Sequence, residues 1–141
     1  MSVRMVLLRE TLVSIVINVA ITIALFFVVF GLGAPISGTS FGLDCLAQAF
    51  FVALMGTAIP GLLVRHGSGS AIAPLILRSL ALALASFILA GGGAWSFFSH
   101  IGSIGAGQAL TIKVAFAAIL CTILTPFAVY RALTAPVREF K

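Results

Sequence analysis

With 62% hydrophobic residues, 8% charged ones and a mean hydropathy of +1.28, this 141-residue chain cannot dress its surface as a water-soluble domain does. Such domains are roughly 25% charged, so the composition asks for lipid as solvent. The net charge of +5 does not indicate a nucleic-acid partner: the basic residues form no cluster interleaved with aromatics, and attraction to anionic headgroups accounts for them.

Four apolar runs follow one another, at about residues 11–32, 45–64, 75–98 and 109–130. A helix rising about 1.5 Å per residue needs roughly 20 residues to cross a hydrocarbon core of about 30 Å. The runs are continuously apolar, unlike the alternating strands of about ten residues in a membrane barrel. The expected fold is therefore all-α, a single transmembrane domain with four helices.

In chain order, residues 1–10 form a short amphipathic lead-in whose Arg4 and Arg9 can snorkel to headgroups. The same charges before an apolar stretch describe a signal peptide. Residues 12–32 are longer than its usual apolar core of about 7–15 residues, so an uncleaved first span is expected. A Gly-, Ser- and Pro-rich loop at 33–43 precedes the second run, which contains Pro60. Then His66-Gly67-Ser68-Gly69-Ser70 reads as a flexible linker. In the third run, Gly91-Gly92-Gly93 is expected to loosen or end the helix, leaving Trp95, Phe97 and Phe98 at an interface that suits aromatic rings. The uncharged loop at 99–108 leads to the fourth run with Pro126, and Pro136 should interrupt the tail. Pro60 and Pro126 each remove a helix hydrogen bond, which predicts kinks.

Basic residues fall in alternate gaps. Arg4 and Arg9 precede the first run, Arg65 and Arg78 flank the second connection, and Arg131, Arg138 and Lys141 follow the fourth run. The loops at 33–43 and 99–108 hold no Lys or Arg. Cytoplasmic loops carry such an excess, which predicts a cell-membrane protein with both termini in the cytoplasm. Cys45 lies near the outer end of the second run and Cys121 well inside the fourth. The depth difference exceeds the reach of a disulfide, and two free thiols are expected.

There is an internal echo. At an offset of 66 residues, Ala49, Phe50, Leu54, Pro60 and Arg65 match Ala115, Phe116, Leu120, Pro126 and Arg131. Two tandem hairpins, 1–64 and 65–141, would fit. This layout, with a proline near the inner end of every second helix, resembles small uncharacterised bacterial inner-membrane proteins built from two-helix hairpins. The resemblance covers most of the chain, rests on no diagnostic motif and implies no activity.

Positions three and four apart share a helix face. Thr11, Ser14, Asn18 and Thr22 form one stripe; Ala49, Ala53, Gly56 and Pro60 a second; Ser79, Ala83, Ser86 and Ala90 a third; and Thr111, Ala115, Ala118, Thr122 and Thr125 a fourth. Small residues let membrane helices approach, and hydroxyl or amide groups bond across them. A compact bundle is expected, with these stripes inward and Phe26, Phe27, Phe30, Leu77, Leu84 and Ile119 outward. Asn18, Gln48 and Thr122 are the intramembrane polar candidates, read first as interhelical hydrogen-bonding groups and second as contacts for a ligand or ion. Lys113 is read as snorkelling to the outer rim, or else as paired there with Asp44.

No catalytic, cofactor-binding or metal-binding set is expected. His66 and His100 belong to opposite sides of the membrane, and coupled transport usually relies on an ionisable group at depth, which the runs do not offer. The functional expectation is a non-catalytic structural or accessory subunit, packing with itself as a homo-oligomer or with a larger membrane complex. The alternative is a small transporter or channel acting as an oligomer, with Asn18, Gln48 and Thr122 around one wet cavity.

Overall fold

The computed structural model describes residues 3–31, 33–65 and 72–134. The sequence readings that fall on His66–Ser70 and on Pro136, Arg138, Glu139 and Lys141 lie outside the described residues. The chain is nearly all helical. Helix α1 spans Val3–Val29, α2 Gly38–Arg65, α3 Ile72–Ser86, α4 Gly92–Phe98 and α5 Ala106–Thr134. Among the described residues, two short strands, β1 (Ile36–Ser37) and β2 (Ser103–Ile104), lie just ahead of α2 and α5. Four helical stretches among the described residues are long and apolar enough to cross a membrane: Val3–Val29, Gly38–Leu63, Ile72–Phe98 and Ala106–Thr134.

In the third stretch, of the two outcomes expected at the glycines, the helix is loosened and not ended. A single π-helical turn, Phe87–Gly91, joins α3 to α4 without a break. The buried face runs Leu75, Ser79, Ala83 and Ser86 in steps of three and four, then steps by five to Gly91. That wider step is what a π turn provides, and it keeps the face on α2. A Cβ at Gly91 would lie 2.8 Å from the Leu46 Cα, so glycine is what allows the two backbones to meet there.

Helix α2 also starts earlier than the apolar run, at Gly38 instead of near residue 45. The Ser37 hydroxyl accepts a hydrogen bond from the Ser40 N–H at 3.2 Å, which satisfies one of the orphan donors of a helix start. Gly38 sits against the carbonyls of Phe98 and Ile101, closing the loop end of the molecule.

Among the described residues, the helices form a bundle in which α1, α2 and α5 make a three-helix core and the third span lies beside it against α2. Helices α1 and α2 both pack along α5, α1 also touches α2, and the third span lies along the other side of α2 while scarcely touching α5. The first helix of each hairpin thus packs mainly on the second helix of the other. The strands follow the same relation. Ser37 pairs with Ser103 and Ile36 with Ile104, antiparallel, and the Gly38 N–H reaches the Gly102 carbonyl at 3.4 Å. The ladder is therefore centred on Ser37 and Ser103, which stand at the 66-residue offset of the echo.

Burial follows the stripes on three helices. Thr11, Ser14, Asn18 and Thr22 are buried on α1, and Ala49 and Ala53 on α2. Helix α5 departs from expectation: Thr111, Ala115 and Thr122 are exposed, and its buried face is Ala109, Lys113, Ala117, Cys121 and Thr125. Phe26, expected outward, is fully buried, while Phe27, Leu77, Leu84 and Ile119 are exposed.

Candidate functional site

Buried polar groups of α1, α2 and α5 meet in two layers of the three-helix core, and a separate groove opens at the end that carries the arginines. The first layer lies toward the loop end. Lys113, seven residues into α5, has a side chain only 3% exposed and forms an ion pair with Asp44 of α2, whose side chain is 22% exposed. The Lys113 Nζ also stands 5.8 Å and 5.7 Å from the ring centroids of Phe26 on α1 and Phe30 just past its end. An ammonium within about 6 Å of an aromatic face is attracted by the ring quadrupole. The lysine is therefore drawn inward by a carboxylate and two rings, which replaces the snorkelling reading and explains why Phe26 points into the core.

Gln48 lies one turn along α2 from Asp44. Its Nε2 donates to the Thr22 Oγ1 of α1 at 3.2 Å and to the Lys113 carbonyl of α5 at 3.1 Å. One amide thereby ties three helices. Its Oε1 is buried without a hydrogen-bond partner among the described residues.

The second layer is set by Pro60. A proline has no N–H to give the carbonyl four residues back, and here that carbonyl belongs to Gly56. The Thr125 hydroxyl of α5 donates to the Gly56 carbonyl at 2.8 Å and lies 3.1 Å from the Ser14 Oγ of α1. The Ser14 Oγ in turn lies 3.8 Å from the Cys121 Sγ. Asn18 donates through Nδ2 to the Ser14 carbonyl of its own helix at 2.9 Å, so its bonds stay within α1 instead of crossing to a neighbour. Cys45 and Cys121 are free and buried.

Among the sequence candidates, Asp44 and Lys113 meet, and Gln48 joins them. Asn18 belongs to the second layer. Thr122 joins neither: it is exposed on α5 and bonds to the Ala118 carbonyl of its own turn at 2.8 Å. Pro60 lies within α2 and Pro126 within α5, each followed by further helix. The inward stripes hold Ser14, Gly56 and Thr125, but the sequence reading did not join them into one cluster. Its signal was present, since Pro60 frees the Gly56 carbonyl and a hydroxyl precedes the matching Pro126.

At the arginine end, Glu10 is buried and accepts a bond from the Arg9 Nε at 3.0 Å. On the other flank a groove of about 330 Å³ separates α3 from α5, with Arg78 and Arg131 among its lining and Thr57, Gly61 and the buried Ser79 behind them.

Comparison with protein-family models, curated proteins and solved structures finds no match.

Proposed function

We propose that this chain is a multi-pass protein of the bacterial inner membrane with both termini in the cytoplasm, acting as a non-catalytic structural or accessory subunit. It packs with itself or with a larger membrane complex. The observation that carries this reading is how the interior polar groups are used. Gln48 and Thr125 each hold three helices together, and Lys113 is taken up by Asp44, Phe26 and Phe30. Groups spent on fixing helices suit a scaffold. The transport reading would need Thr122 beside Asn18 and Gln48, and Thr122 faces away from both.

Arg4, Arg9, Arg78 and Arg131 sit at the same end of the four spans, which supports placing that end in the cytoplasm. The Cys45 and Cys121 thiols are each 1% exposed and stay silent toward impermeant reagents, so introduced cysteines carry the topology test. Thr39→Cys at the loop end should label from outside intact cells, and Thr134→Cys at the arginine end only after permeabilisation. The reverse pattern refutes the orientation. Mild detergent extraction with crosslinking tests the subunit role: an oligomer or a heteromeric complex is expected, and a monomer at every concentration refutes it.

A further inference from the structure

We propose that the groove between α3 and α5 binds one anionic phospholipid, its phosphate held between Arg78 and Arg131 and an acyl chain lying along the apolar wall. The two described carboxylates are already taken, Glu10 by Arg9 and Asp44 by Lys113. Arg78 and Arg131 have no acidic partner among the described residues, although both line one groove. An anion entering the groove would meet both guanidiniums with no carboxylate of the described residues competing for them.

The walls then select the kind of anion. Leu75, Leu82, Phe127 and Ala128 line the same groove, and it opens sideways because α3 scarcely touches α5. A hydrated inorganic ion gains nothing from such walls, whereas a lipid places its chain there and its phosphate at the arginines. The Arg131 guanidinium lies 5.5 Å from the Phe127 ring centroid, an arrangement that holds it at the groove wall. The opposite flank is built differently. There α1 closes onto α2 and α5, and Arg9 is neutralised by Glu10.

The proposal rests on the membrane placement above but not on which leaflet is involved, so the test uses the full chain purified in detergent. Native mass spectrometry would titrate phosphatidylglycerol, phosphatidylcholine with the same acyl chains, and inorganic phosphate. The expected result is selective retention of one phosphatidylglycerol. R78Q/R131Q should weaken that binding roughly thirtyfold, to the level of phosphatidylcholine, while R4Q on α1 leaves it unchanged. Ala128→Phe, which fills the groove and keeps both arginines, should also abolish the preference. Equal retention of the two lipids by the unmodified chain overturns the proposal. So does an equal loss in R4Q, or displacement of phosphatidylglycerol by inorganic phosphate at matched concentration. A wrong orientation would show only in the cysteine labelling and leave this titration unaffected.

Discussion

Thr125→Val tests whether the hydroxyl of α5 compensates for the proline of α2. The substitution keeps the shape and removes the donor that reaches the Gly56 carbonyl at 2.8 Å and the Ser14 Oγ at 3.1 Å. A buried carbonyl left without its partner costs about 1–3 kcal/mol, and an interhelical bond between side chains averages about 0.6 kcal/mol. Together they predict a loss of about 2 kcal/mol, or about 4–8 °C in melting temperature for a chain of this size. Thr125→Ser keeps the hydroxyl and should lose only the methyl contact, about 0.8 kcal/mol. The decisive comparison uses Pro60→Ala, which restores an N–H able to bond the Gly56 carbonyl within α2. In that background Thr125→Val should cost only about 0.6 kcal/mol. Thermal unfolding in mild detergent can be followed with a thiol-reactive fluorophore, because Cys45 and Cys121 are each 1% exposed and react only when the core opens. An equal cost of Thr125→Val in the native and the Pro60→Ala backgrounds would refute the argument.

Three further outcomes follow from the packing. Asp44→Asn strands an ammonium that is 3% exposed, while Lys113→Met strands a carboxylate that is 22% exposed and reaches water. Asp44→Asn should cost about 3–5 kcal/mol, Lys113→Met less, and the double substitution should recover most of the loss in the same melting assay. Gly91→Ala, whose Cβ would meet the Leu46 Cα at 2.8 Å, should cost about 1–3 kcal/mol. Gly93→Ala, with nothing within 4 Å, should be neutral or mildly stabilising in the same measurement. Paired strand residues sit about 4.5–5.5 Å apart at Cα, within disulfide range, so S37C/S103C should crosslink under mild oxidation, read by electrophoretic mobility.

The four spans were legible because lipid-solvated helices need long unbroken apolar runs, and such runs survive in any reading of hydropathy. Their ends at the loop side were not. Residues 38–44 include two glycines, two hydroxyl residues and Asp44, so they read as loop, and only the capping of Ser40 by Ser37 marks the true start of α2. The inward faces of α1, α2 and the third span were legible because their polar and small residues recur in steps of three and four, as Ser14, Asn18 and Thr22 do on α1 and Ser79, Ala83 and Ser86 on the third span. On α5, Ala and Thr occupy several faces at once, so small residues alone do not pick out the inward one. With Lys113 inside, the buried face runs Ala109, Lys113, Ala117, Cys121 and Thr125 in steps of four. The inward position of Phe26 goes with it, since a ring covers the ammonium only once the ammonium is inside. The partner of Lys113 was legible, because Asp44 is the single acidic residue near that end.

The three-helix core and the third span are fastened by different chemistry, which sets the part expected to give way first. Among the described residues, every interhelical side-chain hydrogen bond joins α1, α2 and α5, and the buried ion pair joins α2 to α5. The third span is held to α2 by close backbone approach at Gly91, by Leu75 packed against Gly61 and by aromatic edges such as Phe50 on Phe87. Dispersion contacts of this kind vanish with small separations, and lipid tails replace them at little cost, since membrane helices have no hydrophobic drive to associate. Local opening follows the least fastened element. Amide exchange in detergent should therefore release Ile72–Phe98 before Val3–Val29, although both are single apolar helices of similar length. Earlier exchange of the core of α1 would mean that the polar layers do not hold the fold.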